Sequence, residues 1–130
     1  PPAASPLLAP LQQGEAAPLM ARLQMAGENV AALLGMVVRE VQTAEKLAQV
    51  EARGGNLNGE FRALRVWESK QALYLRALKR HDAPRWSRFL ARAGQVDRIA
   101  KGRAPGDEWR ELERLLVAVA EPRAMKLMAG

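Results

Sequence analysis

No cysteine occurs among the 130 residues. That absence excludes a disulfide scaffold, a thiolate zinc site and a cysteine nucleophile. It is compatible with a reducing compartment, and a cytoplasmic location is expected. Aromatic residues are scarce, at 5%. Long apolar runs are missing too. No stretch approaches the roughly 20 residues of a membrane helix, so no membrane partner is expected. The opening Pro1-Pro2-Ala3-Ala4-Ser5-Pro6 has no basic region of the signal-peptide kind and no initiator Met. A piece of a longer chain is therefore expected.

The length fits one domain, large enough to bury a core. Ala and Leu dominate an apolar content of 48%, which is a helix-forming composition. Pro1 to Pro10 is rich in Pro and Ala, so residues 1–17 read as an extended or disordered lead-in and residues 18–130 as the domain. Glu15 to Met25 fits a short helix ended by Gly27. Glu28 to Arg53 reads as a long helix, because Val30, Leu34, Val37, Val41 and Ala44 recur at helical spacing. Gly54-Gly55 stops it. Asn56 to Gly59 reads as a turn and Glu60 to Leu64 as a helical turn. A helix from Val66 to His81 follows, then one from Asp82 to about Lys101, with Asp82 as cap and Pro84 in its first turn. After the turn Gly102 to Gly106, Asp107 caps the last long helix. Pro122 lies beyond its end, and one ragged turn completes the chain. No strand-like alternation is visible. The expected fold is all-α, a bundle of about five or six helices.

Chemistry of the catalytic kind is sparse. His81 is the single histidine. Near a helix end it fits an exposed residue facing the helix dipole better than a general base. Ser69 and Ser87 lie in no Gly-x-Ser-x-Gly elbow, and no phosphate-cradling Gly-Lys-Ser/Thr loop exists. Asp107, Glu108, Glu111 and Glu113 are ordinary carboxylates for the first turns of a helix. No catalytic residue, cofactor or metal site is expected.

The net charge of +6 is unevenly spread. From Phe61 to Arg110 there are 13 basic against 5 acidic residues. Such a segment suits a polyanion such as nucleic acid, or it forms solvated helix faces. Arg85, Arg88, Arg92 and Gln95 make one polar stripe. Arg76, Lys79 and Arg80 cluster just before it, and Arg62, Arg65 and Lys70 surround Trp67. Trp86 and Trp109 sit in clean apolar stripes and read as core anchors. Trp67 fits either a core anchor or a stacking platform for an unpaired base.

The stretches Leu64-Arg65-Val66-Trp67 and Ala77-Leu78-Lys79-Arg80, then Glu108-Trp109-Arg110-Glu111-Leu112-Glu113, resemble the C-terminal domain of the delta subunit of the bacterial DNA polymerase III clamp loader. Leu23-Gln24-Met25, Ala32-Leu33-Leu34 and Arg39-Glu40 resemble that family's helical approach to the domain. The likeness spans about Leu19 to Gly130. It implies a collar domain that oligomerises with the other loader subunits in DNA replication. The sliding clamp would be gripped by N-terminal domains absent from this sequence. It implies no enzyme in this domain, although the parent subunit belongs to the polymerase III holoenzyme. It also implies DNA contact at a single-strand/double-strand junction through Trp67, with Arg65, Lys70, Lys101 and Arg103 as basic neighbours. Where one relative carries an aromatic residue near DNA, this chain has Ala104, which cannot stack. The alternative is a stand-alone basic helical domain that binds nucleic acid directly.

Overall fold

The computed structural model describes residues 21, 24–27 and 29–120. The expected lead-in, most of the first short helix, the boundary near residue 17 and the tail after Ala120 lie outside them. Five helices and no strand are present among the described residues: α1 (Val30–Ala52), α2 (Leu57–Ala63), α3 (Glu68–Arg80), α4 (Ala83–Ala100) and α5 (Glu108–Ala120). The all-α bundle expected from periodicity is the observed fold.

Short polar side chains set most of the helix starts. Asn29 Oδ1 accepts from the Ala32 amide at 2.8 Å, and Asp82 Oδ1 from the Arg85 amide at 3.0 Å. Asp107 Oδ1 accepts from the amides of Trp109 and Arg110 at 3.0 and 3.3 Å. Each satisfies amides that have no partner inside the helix. Asn56 does the same for Asn58 and Gly59. That corrects the expected turn at Asn56 to Gly59, whose last three residues are the first turn of α2.

The ends of α1 and α4 close alike. Gly54 donates to the Glu51 carbonyl and Gly55 to that of Val50; Gly102 donates to Ile99 and Arg103 to Arg98. In both, the glycine has φ +73°, a conformation that a Cβ disfavours. Gly106, in the turn before α5, has φ +142°, open to glycine alone.

The helices are held by packing; α2, α3 and α5, at 7, 13 and 13 residues, are marginal alone in water. Val37, Val41 and Leu47 of α1 meet Trp86, Phe89 and Val96 of α4 and Leu112, Leu115 and Val119 of α5 in one fully buried cluster. Each such side chain contributes roughly 1.5–3 kcal/mol relative to exposure. Ser87 Oγ donates to Glu45 at 2.7 Å, and Ala83 borders a cleft with Ala48 to Ala52, so α4 runs antiparallel to α1. Arg92 bridges to Glu111 at 2.9 Å while Arg114 reaches the other oxygen of Glu111 at 3.0 Å, so α5 returns along α4. Tyr74 lies beside Glu40 and Thr43, while Leu78 to Arg80 border the cleft with Ala48 to Ala52. Helix α3 therefore runs parallel to α1, and α2 belongs to the segment that carries the chain back between them.

His81 departs from expectation. It is 3% exposed, not a solvent-facing helix-end residue. The chain leaves α3 here in an extended conformation (φ −143°), which turns the ring into the bundle. Its Nε2 lies 2.7 Å from the Val119 carbonyl. A carbonyl only accepts, so Nε2 carries the proton. The ring stands edge-on to Phe89 and Trp86, with centroids at 4.7 and 5.6 Å, and Trp86 Nε1 donates to the His81 carbonyl at 3.2 Å. Nδ1 is buried with no hydrogen-bond partner among the described residues.

Burial pushes the His81 pKa below its ordinary 6.5; the Val119 bond opposes this, and the charges of Arg85 and Arg80 add to it. A lowered folded value means that the unfolded chain takes up the proton first. The contribution is therefore present above pH 6.5 and lost as pH falls below it. Stability should drop as pH falls below 6.5, by at most about 1.4 kcal/mol per pH unit. His81→Gln, which keeps a donor, should flatten that dependence in chemical denaturation. Tyr74 behaves oppositely in sign. Burial, then the Glu40 charge, pushes its hydroxyl up to about 12, against a hydrogen bond with Thr43. Its contribution is complete below pH 10 and lost as pH rises toward 12. Denaturation curves of Tyr74→Phe should lack that alkaline loss.

Candidate nucleic-acid interface

Trp67 is 75% exposed, whereas Trp86 is 1% exposed and Trp109 packs half-buried against the core. The core-anchor reading therefore holds for Trp86 and Trp109 and fails for Trp67. An indole left in water forgoes much of the stabilisation that its burial would give.

Two local rules are broken beside it. Helix α2 ends like α1 and α4, with Arg65 donating to the Arg62 carbonyl and Val66 to that of Phe61. The left-handed position is filled by Arg65, at φ +57°, where the other two closures have glycine. A Cβ in that conformation costs roughly 1–2 kcal/mol. Because the Val66 amide is committed to Phe61, α3 begins at Glu68 and not at Val66 as expected. Trp67 is then the N-cap of α3 and makes no side-chain cap bond. A Ser, Asp or Asn there would contribute about 1 kcal/mol. Gln71 Nε2, donating to the Val66 carbonyl at 3.3 Å, helps to hold the turn.

Arg65 and Lys70 are both exposed in this segment, with Arg62 just before and Glu68 between. Lys101 and Arg103 lie in the turn after α4. Lys101 pairs with Asp97 at 2.9 Å, and so exposed an ion pair is worth roughly 0–1 kcal/mol. Arg103 is exposed, while Ala104 is half-buried. With α3 parallel and α4 antiparallel to α1, the start of α3 and the end of α4 both face the end of the bundle where α1 begins. The five expected residues thus fall into two segments at one end of the bundle, the α2–α3 turn with the first turn of α3 and the turn after α4. Arg65, Trp67 and Lys70 are close neighbours in sequence; no hydrogen bond or ion pair among the described residues joins them to Lys101 and Arg103.

The expected stripe on α4 is reduced. Arg92 is half-buried and held by Glu111, and Gln95 accepts from Arg98. Arg85 and Arg88 remain. The strain at Arg65 was not foreseen from sequence, because no glycine marks the position. The pairing of Phe61 with Val66 five residues later, across a helix end, is the signal that could have shown it. Among the described residues no group of three His, Asp or Glu converges as metal ligands do, and no helix is long and apolar enough to cross a membrane. Compared with protein families, curated proteins and solved structures, the chain matches none.

Replacing Arg65 by Gly should relieve the left-handed strain. The expected gain is about 0.5–1 kcal/mol, after the extra chain entropy of glycine. Thermal melting checks it. Arg65→Ala removes the same charge and should give no such gain.

Proposed function

We propose that this chain is the C-terminal collar domain of the delta subunit of a bacterial clamp loader. In this reading it is a non-catalytic helical module that assembles with the paralogous loader subunits. The turn between α2 and α3 contacts DNA at a single-strand/double-strand junction. The ordered resemblance of the Trp67, Lys79-Arg80 and Trp109 segments supports the assembly role, and an all-α bundle agrees with it. The observation that carries the DNA contact is Trp67, exposed beside a strained Arg65 at an uncapped helix start. Strain and lost capping concentrated in one short turn mark a place where side-chain presentation outweighs local stability. An exposed indole stacks on any unpaired base, and neighbouring cations draw in phosphates.

The same turn supports a second reading, a domain that binds nucleic acid without loader partners, because its cations and indole all come from this chain. The two separate by experiment. Deleting this segment from the parent subunit should abolish co-purification with the other loader subunits; undiminished assembly would remove the collar assignment.

Trp67→Ala should weaken binding to a recessed-end DNA by roughly 5- to 150-fold, the equivalent of about 1–3 kcal/mol of stacking. Its melting temperature should barely move, since the ring is mostly in water. Equal affinity for wild type and variant would remove the stacking role. Global unfolding of the variant would return Trp67 to the core.

A further inference from the structure

We propose that the corner where α3 meets α4 is a second anion-binding surface, which takes the phosphodiester backbone of the nucleic acid held at Trp67. The inference rests on the DNA-contact reading above and extends it to the far end of α3. Arg76 and Lys79 lie one turn apart on the exposed side of α3, and Arg85 and Arg88 one turn apart on α4. None of the four makes an ion pair with a described carboxylate. Their helices meet at His81, close enough for the charges of both Arg80 and Arg85 to act on its ring. The two pairs therefore flank this corner as one basic patch. Among the described residues the nearby acids are Asp82 and Glu51, which border the cleft at this corner, and Glu45, which is held by Ser87 beside Arg88, so the four cations outnumber them.

Intrachain pairing does not account for the patch. The carboxylate of Glu111 goes to Arg92 and Arg114, and that of Asp97 to Lys101. Cations that outnumber the acids beside them repel one another, and a polyanion relieves this by releasing its own counterions. The spacing also fits. Twelve residues of helix separate Trp67 from Lys79, about 18 Å at 1.5 Å per residue. That is roughly five steps along a duplex strand at 3.4 Å each. A backbone leaving a base stacked at Trp67 and following α3 arrives at this corner.

The test is fluorescence anisotropy of labelled DNA with the full chain, titrated over a range of salt concentrations. The probes are a recessed-end junction, the duplex alone and the single strand alone. Lys79→Gln with Arg88→Gln should reduce the slope of log affinity against log salt by nearly 2 on a duplex-bearing probe, at about 0.9 per phosphate contact. On the single strand each contact is worth about 0.7, so the probe that loses slope shows which arm lies on the patch. Arg39→Gln with Lys46→Gln removes the same charge from the exposed side of α1 and should leave the slope near that of wild type. Equal slopes for wild type and the Lys79/Arg88 variant, with Trp67→Ala still weakening binding, would overturn this inference alone. So would an equal loss in the α1 control. No binding of wild type to any probe at low salt would overturn the DNA contact and the patch together.

Discussion

The bundle turns on one hydrogen bond, from the His81 ring to the Val119 carbonyl. It ties the corner between α3 and α4 to the far end of α5, 38 positions away in sequence. The ring also fills the space between Trp86 and Phe89, whose own centroids are 5.4 Å apart. An imidazole meets these demands because it is flat, apolar on its faces and able to donate at its edge. The arrangement has a cost: Nδ1 is enclosed without a described partner, and such a group costs roughly 1–3 kcal/mol. Packing of three rings and the bond to Val119 offset it, so the neutral ring is the form that the fold selects.

Much of this architecture was legible in the sequence because it depends on local rules. The apolar spacing of Val37, Val41, Ala44 and Leu47 marked the inner face of α1, and Gly54 and Gly102 marked helix ends. Asp82 and Asp107 marked helix starts through a side chain two or three residues away. His81 was misread because its environment is built by residues distant in sequence. Nothing near it in the chain announces Val119. The start of α3 was misplaced for a related reason, since the Val66 amide closes α2 before α3 can begin.

The candidate site was legible in composition and illegible in conformation. The density of Arg and Lys around Trp67 could be counted, yet whether the indole faced water depended on how α2 closes. The same limit applied to the α4 stripe. Arg85, Arg88 and Arg92 are equivalent by spacing, but only the fold gives Glu111 to Arg92. Charge counted along a sequence overstates what a surface offers, because tertiary pairing withdraws some of it.

The brevity of α2 has its own consequence. It is 7 residues long and contributes a single buried side chain, Phe61. Local opening requires only the contacts that a segment itself makes, so short elements with few anchors open at lower free energy than the whole domain. Phe61 is the one fully buried anchor of this segment, helped by the half-buried Leu57, Leu64 and Val66, while the amide bonds at Arg65 and Val66 and the Gln71 bond hold the Trp67 turn to the helix ends beside it. The turn is thus tethered to the element with the fewest anchors, while α1, α4 and α5 share the dense core. Opening of this turn therefore costs less free energy than opening of the core that α1, α4 and α5 share.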